Sequence, residues 1–473
     1  MLYLVRHVHQ ASRDSFAMTN LGYVHFLYCA PIYCIFYIRR NFTITCFRSL
    51  YAMSHQFPAE IWERVFQHIE GSAIVQPVDI YGDPRETAWN DAQRRCQVFG
   101  FLALSSTCKL FNQIVPKFLV SWLRVREVSQ LVRIRAVVSQ PIRSRNGSEH
   151  NADRRLGWWT RRLDLALKAR SDARVFTDIW TAYGDLVAQF LSLLPNLIVV
   201  VTSVDVESHD CYLLPREVLH ALCSLKAIQR LEFVGNEGPC LGDLLDISKE
   251  LSNLETLCVG RVPGPPLELP EPEEEHEDAP SVVIPKLTFL HIPRQPIYSS
   301  LRLFVMASLP SLTHLSHFHL DFDSAITVLF FRTNGHLLRS ISTNGIRTSE
   351  SPYASARVFT FCPNLLTFIF SPRMRDRRQA AAWSHPKLKS LGLRSILPKT
   401  MPIDTQLTMN IADSVTSLLG SILDGDLPEL RSIRICDIGV VADRLFASHG
   451  SLWARRCAEK KVRLEDRQGK QLL

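Results

Sequence analysis

The chain has 473 residues, of which 46% are hydrophobic, 21% charged and 9% aromatic. This composition is that of soluble globular proteins, and it excludes a wholly disordered, a collagen-like and a polytopic membrane chain. The length predicts two or three compact domains or one elongated array. The net charge of +8 is weak support for nucleic-acid binding, because residues 1–52 alone carry five arginines and one aspartate. Twelve cysteines without a C-x-x-C pair favour reduced thiols and a cytoplasmic or nuclear location.

Residues 1–52 are predicted to form a separate leader that need not belong to the mature protein. Its residues 22–38 are an uncharged apolar run, followed by Arg39 and Arg40. The run is at the short end for a transmembrane helix, and Pro31 lies in its middle. Three interpretations stay open: a dispensable leader, a membrane anchor through this run, and a packed segment.

A helix is predicted over residues 57–71. Pro58 suits the first position of a helix, and Ile61, Val65 and Ile69 recur every four residues, which is the spacing of one helical face. Trp and Phe residues beside them widen the apolar stripe, and the glycine at the end of the range is predicted to end the helix.

A second helical stretch is predicted from residue 101 onward. Leu104, Cys108 and Phe111 fall at i, i+4 and i+7, and Pro116 is predicted to break the helix. Between the two stretches, the polar residues 72–97 are interpreted as an inserted loop.

These residues resemble an F-box, the short helical module that docks on the Skp adaptor of cullin–RING ubiquitin ligases. The Leu-Pro of the family motif appears here as Phe57-Pro58, and its Glu-Ile as Glu60-Ile61. The inserted loop departs from the family pattern, in which a few residues join the helices. The resemblance implies a module over residues 53–125 that binds a Skp-type adaptor and through it a cullin. The contacts it implies are Phe57, Pro58, Ile61, Val65, Ile69, Leu104, Cys108 and Phe111.

Residues 126–450 are periodic. The unit is a turn residue, often proline, followed by Leu-x-x-Φ-x-Φ, where Φ is apolar. Eight steps from Leu197 to Leu430 give about 29 residues per unit, and both spacing and pattern resemble the leucine-rich repeats. Leu163 marks a degenerate first copy. The anchor residues of the units are Leu197, Ile228, Leu254, Leu287, Leu312, Leu338, Leu365, Leu388 and Leu430.

Each unit predicts a short strand and a covering segment. Alternate strand residues, such as Leu257 and Val259, are expected to point into the core, and those between them to face outward on a concave surface. No unit buries its apolar face alone. The predicted fold is therefore α/β, with a short N-terminal helical F-box-like module, an irregular leucine-rich-repeat solenoid, and a charged cap or tail at residues 451–473. A two-layer α/β domain is the rival interpretation.

Biased segments and histidines carry no catalytic signature. The acidic residues 263–280 predict a solvated loop, and His314, His317 and His319 are interpreted as structural or surface residues. A Gly-rich phosphate loop, a G-x-S-x-G elbow and an H-E-x-x-H helix are absent from the sequence. We therefore expect no enzyme activity, no cofactor, no metal site and no nucleic-acid partner.

The predicted function is substrate recognition within a Skp–cullin–F-box ubiquitin ligase. The F-box would bind the adaptor, and the repeats would bind an unknown target protein. The alternative is a leucine-rich-repeat interaction scaffold with no ubiquitin role. Its N-terminal helices would only cap the repeats, because an apolar helix face offered to a partner and one packed internally look alike in sequence.

Overall fold

The structure is a computed structural model of the full chain. It describes residues 58–74, 98, 101–106, 108–141, 155–167, 175–203, 212–234, 237–260, 282–292, 301, 304–305, 307–317, 319–347, 354–371, 383–394, 405–436, 440–466 and 469–472. The leader 1–52, most of the inserted loop and the acidic residues 263–280 lie outside this set. Across the described helices, none has the length and apolar character needed to cross a membrane.

The chain divides into two compact units. One holds the described residues up to Ser121, and the other holds those from Trp122 onward. Residues 122–125, which the sequence assigned to the helical module, belong to the second unit and form its first strand.

The first unit is helical, and its elements are α1 (Ala59–Ile74), the helical residues 101–105 and α2 (Lys109–Ser121). Two predicted helix ends are wrong. α1 continues past Gly71 to Ile74, because one glycine costs a helix only about 1 kcal/mol. Pro116 lies inside α2, where buried Phe111 and Phe118 on either side offset the backbone hydrogen bond that proline cannot make.

The second unit is mixed α/β and is built on short parallel strands. The strands are β1 (Trp122–Val125), β2 (Arg162–Leu165), β3 (Val199–Thr202), β4 (Tyr212–Leu213), β5 (Arg230–Phe233), β6 (Glu237–Gly238), β7 (Thr256–Val259), β8 (Val282–Val283), β9 (Phe289–Ile292), β10 (Ala307–Ser308), β11 (His314–His317), β12 (Leu320–Asp321), β13 (Ser340–Thr343), β14 (Ile346–Arg347), β15 (Thr367–Phe370), β16 (Ser390–Leu393), β17 (Ser432–Ile435) and β18 (Arg463–Glu465). Twelve strands form one open sheet in the order β1-β2-β3-β5-β7-β9-β11-β13-β15-β16-β17-β18. The other six pair as β4 with β6, β8 with β10, and β12 with β14.

Helices connect most of the sheet strands, as parallel pairing requires a crossover between them. They are α3 (Val128–Val138), α4 (Val175–Leu191), α5 (Arg216–Ser224), α6 (Leu241–Glu250), α7 (Ala325–Asn334), α8 (Ala354–Phe361), α9 (Thr405–Leu423) and α10 (Val440–Glu459). Two 3-10 turns span Leu156–Trp159 and Gly335–Leu337.

The same turn precedes successive strands. The N–H of anchor Leu254 donates to the carbonyl of Leu251 at 3.0 Å, and the carbonyl of Glu255, the next residue, accepts two N–H groups from the following repeat, those of Thr288 and Phe289, at 2.9 and 3.1 Å. All nine predicted anchors are buried, which confirms these positions of the sequence pattern. Because the turn fixes where each strand begins, neighbouring strands pair residue for residue from one repeat to the next.

The two faces of the large sheet differ from the predicted division. The second and fourth residues of β7, Leu257 and Val259, are buried as expected. The first and third residues of each strand lie on the opposite face, which we name the outer face. Many of them are buried as well, among them Cys258, Ser342 and Ile369. The outer face is therefore not the open row of side chains that the sequence predicted.

A polar side chain before the anchor joins neighbouring repeats. Asn253 Nδ2 donates to the carbonyl of Lys226 at 2.9 Å, and Asn253 Oδ1 accepts from Lys286 Nζ at 2.7 Å. Asn364 makes the same two bonds, to the carbonyl and the lysine at the corresponding positions, at 2.7 Å each. Asn196 donates to a backbone carbonyl of the repeat before it in the same way.

We expect Asn364→Ala to lower the free energy of unfolding by about 1 kcal/mol, because two hydrogen bonds at an exposed site are lost. Urea denaturation measures the change. Glu429→Ala is the matched control, since Glu429 holds the same place before its anchor but makes only a 3.7 Å surface ion pair with Lys389. That change should cost under about 0.5 kcal/mol, and equal effects of the two substitutions would contradict the assigned role of asparagine.

The C-terminal residues extend the sheet. α10 crosses the predicted boundary at residue 450, and β18 pairs in parallel with β17. The N–H of Leu472 donates to the carbonyl of Leu464 at 2.8 Å, so the last described residues turn back along β18. The segment predicted as a charged cap or tail thus contributes a strand.

Candidate functional site

An aromatic cluster forms the core of the helical unit. Phe66 is at its centre, with its ring centroid 5.5 Å from that of Phe111, 5.5 Å from that of Phe118 and 5.8 Å from that of Phe101, all edge-on. Trp62 lies 5.0 Å from Phe111 in the same kind of arrangement. Such pairs add about 0.5–1.5 kcal/mol each to the burial of their rings. The buried members are Trp62, Phe66, Phe101, Leu104, Phe111, Ile114, Val115 and Phe118.

The eight residues implied as adaptor contacts fall into three groups. Those inside this core or packed against it are Leu104, Phe111, Val65 and Cys108. Those exposed to solvent are Pro58 and Ile61. The other two, Phe57 and the side chain of Ile69, lie outside the described residues. Phe111 has no exposed surface, so in this structure it stabilises the unit and is not available to a partner.

Cys108 has a local role that was not predicted from its place in the apolar i, i+4, i+7 pattern. It directly precedes α2, and its Sγ accepts the N–H of Phe111 at 3.4 Å. A side chain in this position satisfies one of the N–H groups that the first turn of a helix leaves unpaired. Cys108 is therefore placed as a helix cap whose thiol is half-buried against the core.

Among the described residues of the helical unit, two large apolar side chains are exposed to solvent. Ile61 is 39% exposed and Leu102 is 47% exposed. Leu102 was not among the predicted contacts. The sequence indicates its exposure only indirectly. Phe101 and Leu104 are three residues apart and share the buried side of the helix, and Leu102 does not lie on that side. Lys117 Nζ contacts Glu63 Oε1 at 2.6 Å and ties α2 to α1.

The N-terminal end of the outer face carries an ion pair in which both carboxylate oxygens accept hydrogen bonds. Arg162 Nε donates to Asp164 Oδ1 at 2.9 Å, and Trp122 Nε1 donates to Asp164 Oδ2 at 2.8 Å. The guanidinium of Arg162 also lies 4.4 Å from the centroid of the Trp122 ring, a cation–π contact. Burial, followed by the charge of Arg126, lowers the pKa of Arg124 on the same face to about 10.

A second ion pair lies two strands away. Arg230 Nε donates to Glu232 Oε1, while Glu232 Oε2 has no hydrogen-bond partner among the residues that the structure describes, and the whole residue is buried. Val199 and Val201 of β3 separate the two pairs, because β3 pairs in register with β2 and β5. Opposite charges two residues apart within the strand unit, as in RRLDL and RLEF, are the sequence pattern that accompanies this feature, and no prediction was drawn from it.

The C-terminal half of the outer face carries two further arginine contacts. Arg394, directly after β16, donates from a guanidinium N–H to Ser342 Oγ at 2.8 Å. Ser342 belongs to β13, so this side chain spans the intervening strand β15. Arg434 donates to Glu465 Oε2 of the neighbouring strand at 2.9 Å. Polar groups therefore line this face at both ends of the sheet.

The predicted histidine cluster is divided between the two faces of β11. His317 is at an inward position and is buried, and burial lowers its pKa to about 4. His314 lies on the outer face, with its ring 6.1 Å from that of Phe289. Within the described residues, no group of three His, Cys, Asp or Glu side chains is arranged to hold a metal ion.

The described cysteines are free thiols. Burial raises the pKa of Cys457 to about 11 and that of Cys258 well above its usual value, where the charge of Glu232 raises it further. Thiols in such surroundings are poor nucleophiles, so these residues act as small apolar side chains.

Comparison with known proteins gives no relative: no protein-family model matches the chain, and no curated protein matches it. Two surfaces of the described residues bear on what the chain binds. They are the exposed apolar residues of the helical unit and the outer face of the sheet.

Proposed function

We propose that this protein is the substrate-recognition subunit of a Skp–cullin–F-box ubiquitin ligase. The helical unit serves as an F-box-like module that binds a Skp-type adaptor and through it a cullin. The parallel strands form an irregular leucine-rich-repeat solenoid whose outer face binds a target protein. The observation that carries the proposal is the exposure of Ile61 at an F-box motif position, in a chain whose remaining part is a sheet with one recurring turn and register.

The adaptor side of the proposal rests on the start of α1. Pro58 and Ile61 are exposed there, on a helix whose Trp62 and Phe66 are buried in the aromatic core. A partner can cover the exposed pair without disturbing that core. The helix would then be held from one side by its own unit and from the other by the adaptor, as in other helix-mediated docking.

The target side rests on the repeats. Seven of the nine anchors donate an N–H to the carbonyl three residues earlier, just before a strand, and polar side chains such as Asn253 bond one unit to the next. Units of this kind stabilise one another only through their neighbours. An array of such units offers an extended surface whose strand residues differ from repeat to repeat, which is the property that target recognition needs.

The mechanism that follows is tethering. Binding the adaptor at one unit and the target at the other raises the effective concentration of target lysines near the transferring enzyme. The ligase chemistry belongs to the partners, so the chain itself supplies binding and orientation.

The double substitution Pro58→Ala, Ile61→Ala tests the adaptor contact. We expect it to weaken binding of a purified Skp-type adaptor about 30- to 100-fold, equivalent to about 2–3 kcal/mol of lost apolar burial. Isothermal titration calorimetry measures the affinity, and circular dichroism verifies that the chain is folded, since both side chains are exposed.

Val132→Ala is the matched control, because it removes an exposed apolar side chain from α3 in the other unit. Its adaptor affinity should equal that of the unchanged chain. Unaltered adaptor binding by the double variant would refute the docking assignment, and failure of the unchanged chain to bind any Skp-type adaptor would refute the proposal as a whole.

The burial of Leu104 and Phe111 favours a second candidate, a repeat scaffold without a ubiquitin role. In that case the N-terminal helices would act only as a cap on the repeats. The calorimetric experiment separates the two functions, because the scaffold has no reason to bind the adaptor.

A further inference from the structure

Basic residues recur at one register position in the C-terminal half of the large sheet. Arg339, Lys389 and Arg431 directly precede the strands β13, β16 and β17, and Leu366 holds the same place before β15. The carbonyl of Arg339 accepts the N–H of Leu366 at 2.8 Å, and that of Leu366 accepts the N–H of Lys389 at 2.9 Å. The carbonyl of Lys389 in turn accepts the N–H of Arg431 at 2.9 Å. These four residues therefore lie side by side, and we name them the entry row.

The charged members of the entry row are accessible to a partner. Arg339 and Arg431 are exposed, and the side chain of Lys389 is 42% exposed. Within the described residues, neither arginine has a carboxylate partner, and Lys389 makes a 3.7 Å ion pair with the exposed Glu429. A surface ion pair of this length is weak, so an incoming carboxylate can replace Glu429.

The surroundings of the entry row add no opposing charge on the sheet itself. At the end of the sheet, Arg434 and Arg463 share one carboxylate, that of Glu465. The residues that directly follow the entry row carry hydroxyl groups and pair in register. They are Ser340, Thr367, Ser390 and Ser432.

The charge at this register position changes along the sheet. The exposed Glu255 precedes β7, and Thr288 and Thr313 precede β9 and β11. The next member is Arg339, where the basic part begins. The entry row is thus a local basic feature with a defined start, which a general excess of surface lysine and arginine would not give.

We propose that the entry row binds an acidic segment of the target protein. The segment lies across the strands in an extended conformation, and its carboxylates bond the side chains of Arg339, Lys389 and Arg431. Neighbouring strands are about 4.8 Å apart, so the two arginines are about 14 Å apart along the row. An extended chain covers this distance in about four residues and turns every second side chain to the same side. Acids at i, i+2 and i+4 therefore match the row. This inference rests on the proposed function, since it names the chemistry of the target.

An acidic protein segment fits the entry row better than a nucleic acid or an apolar partner. Guanidinium groups bind carboxylates through two parallel hydrogen bonds. Nucleic acids are held through many phosphate contacts, and single strands also stack their bases on aromatic side chains. The row has three cations and no aromatic residue. An apolar partner would remove water from these cations without pairing them.

Fluorescein-labelled peptides test the inference on the purified full chain. One has glutamate at alternate positions, as Glu-Thr-Glu-Thr-Glu, and two others carry glutamine or lysine in place of glutamate. Fluorescence anisotropy should show at least about tenfold tighter binding of the glutamate peptide than of the glutamine peptide, because only the former makes charge-assisted bonds. The lysine peptide should show no saturable binding. A peptide with adjacent glutamates, Glu-Glu-Glu-Thr-Thr, should bind at least about threefold more weakly, because its carboxylates span only about half of the row.

The double substitution Arg339→Gln, Arg431→Gln should reduce the preference for glutamate over glutamine to about threefold or less, because Lys389 alone remains. Circular dichroism verifies the fold, since both side chains are exposed. The matched control is Arg216→Gln, Arg332→Gln, which removes the same charge from exposed positions of α5 and α7. In that variant the preference should persist.

Leu366→Lys gives a second readout, which is a gain of binding. Leu366 is half-buried, and a lysine there keeps its stem on the same surface while its ammonium group reaches solvent. A further cation between Arg339 and Lys389 should tighten binding of the alternating glutamate peptide about threefold or more. Binding of the glutamine peptide should not change.

The inference is overturned if glutamate and glutamine peptides bind alike, if no peptide binds, or if the double variant and its control behave alike. It is also overturned if Leu366→Lys brings no gain, or if a labelled oligothymidylate of equal charge binds as tightly as the glutamate peptide. The assay contains no adaptor. A negative result with intact adaptor binding therefore removes this inference and leaves the docking proposal standing.

Discussion

Phe66→Ala is expected to lower the free energy of unfolding of the helical unit by about 3–5 kcal/mol. Phe66 is 2% exposed, and its ring meets those of Phe101, Phe111 and Phe118 edge-on. Removing it opens a cavity that borders all three helical segments of the unit. Since typical domains are stable by only about 5–15 kcal/mol, a small unit should lose most of its cooperative structure.

Amide hydrogen exchange followed by mass spectrometry measures this effect segment by segment. Protection in α1 and α2 should fall in the Phe66→Ala variant, while the strands β5 to β16 should keep theirs. Ile61→Ala is the control on the same helix, because its side chain is 39% exposed and its loss should cost under about 1 kcal/mol. If the two substitutions lowered protection equally, the division of α1 into a buried and an exposed side would be incorrect.

The sequence did not predict which side of α1 is buried. The sequence predicted the helix from its four-residue spacing, and α1 is there. It predicted Ile61 and Val65 as the central stripe, with Trp62 and Phe66 beside it. The aromatic pair is instead the buried side. Adjacent residues differ by about 100° around a helix axis, so a wide apolar stripe does not reveal which edge faces the core.

The strands of the large parallel sheet were predicted better because their signal is local. Seven of the nine anchors, Leu254 among them, donate an N–H to the carbonyl three residues earlier, and a strand follows each of them. The local pattern therefore predicts where these strands begin. Burial of the outer face could not be predicted. It depends on which side chains of neighbouring strands meet, as when Trp122 bonds Asp164 across forty-two residues of sequence.

Charges inside strands were the most misleading signal. The expected alternation of strand residues places Arg162 and Asp164 at outward-facing positions. Both are nevertheless buried, because each supplies the partner that the other needs. The same holds for Arg230 and Glu232. A charge alternating with apolar residues usually indicates an exposed strand face, and a pair of opposite charges two residues apart weakens that rule.

The free energy of unfolding is expected to fall by about 3 kcal/mol through His317 alone as pH decreases from 6.5 to about 4. His317 is buried at the end of β11, where Ile292 and Thr343 are its register partners. Burial lowers its pKa from 6.5 to about 4, the backbone of His319 acts in the opposite direction, and the charge of His319 lowers it further. Between these two pH values the unfolded chain binds the proton and the folded chain does not. The contribution of His317 to stability is therefore complete above pH 6.5 and is lost as pH falls through this window.

Urea denaturation at about pH 7 and about pH 5 measures the difference, and His317→Leu isolates the contribution of this side chain. The leucine variant should lose distinctly less stability on acidification than the unchanged chain, because an apolar residue at this position binds no proton in either state.

Part of the dependence of stability on pH should remain in this variant, since burial also lowers the pKa of His314 and His385. For His385, Nδ1 accepts the N–H of Lys387 at 3.2 Å, which favours the neutral ring. The contact of Nε2 with the carbonyl of Cys362 at 3.0 Å opposes the lowering of its pKa. His220→Leu, at an exposed position of α5, is the control and should follow the unchanged chain. A leucine variant with the unchanged slope would mean that His317 is protonated without unfolding, and that the inner face of β11 admits water.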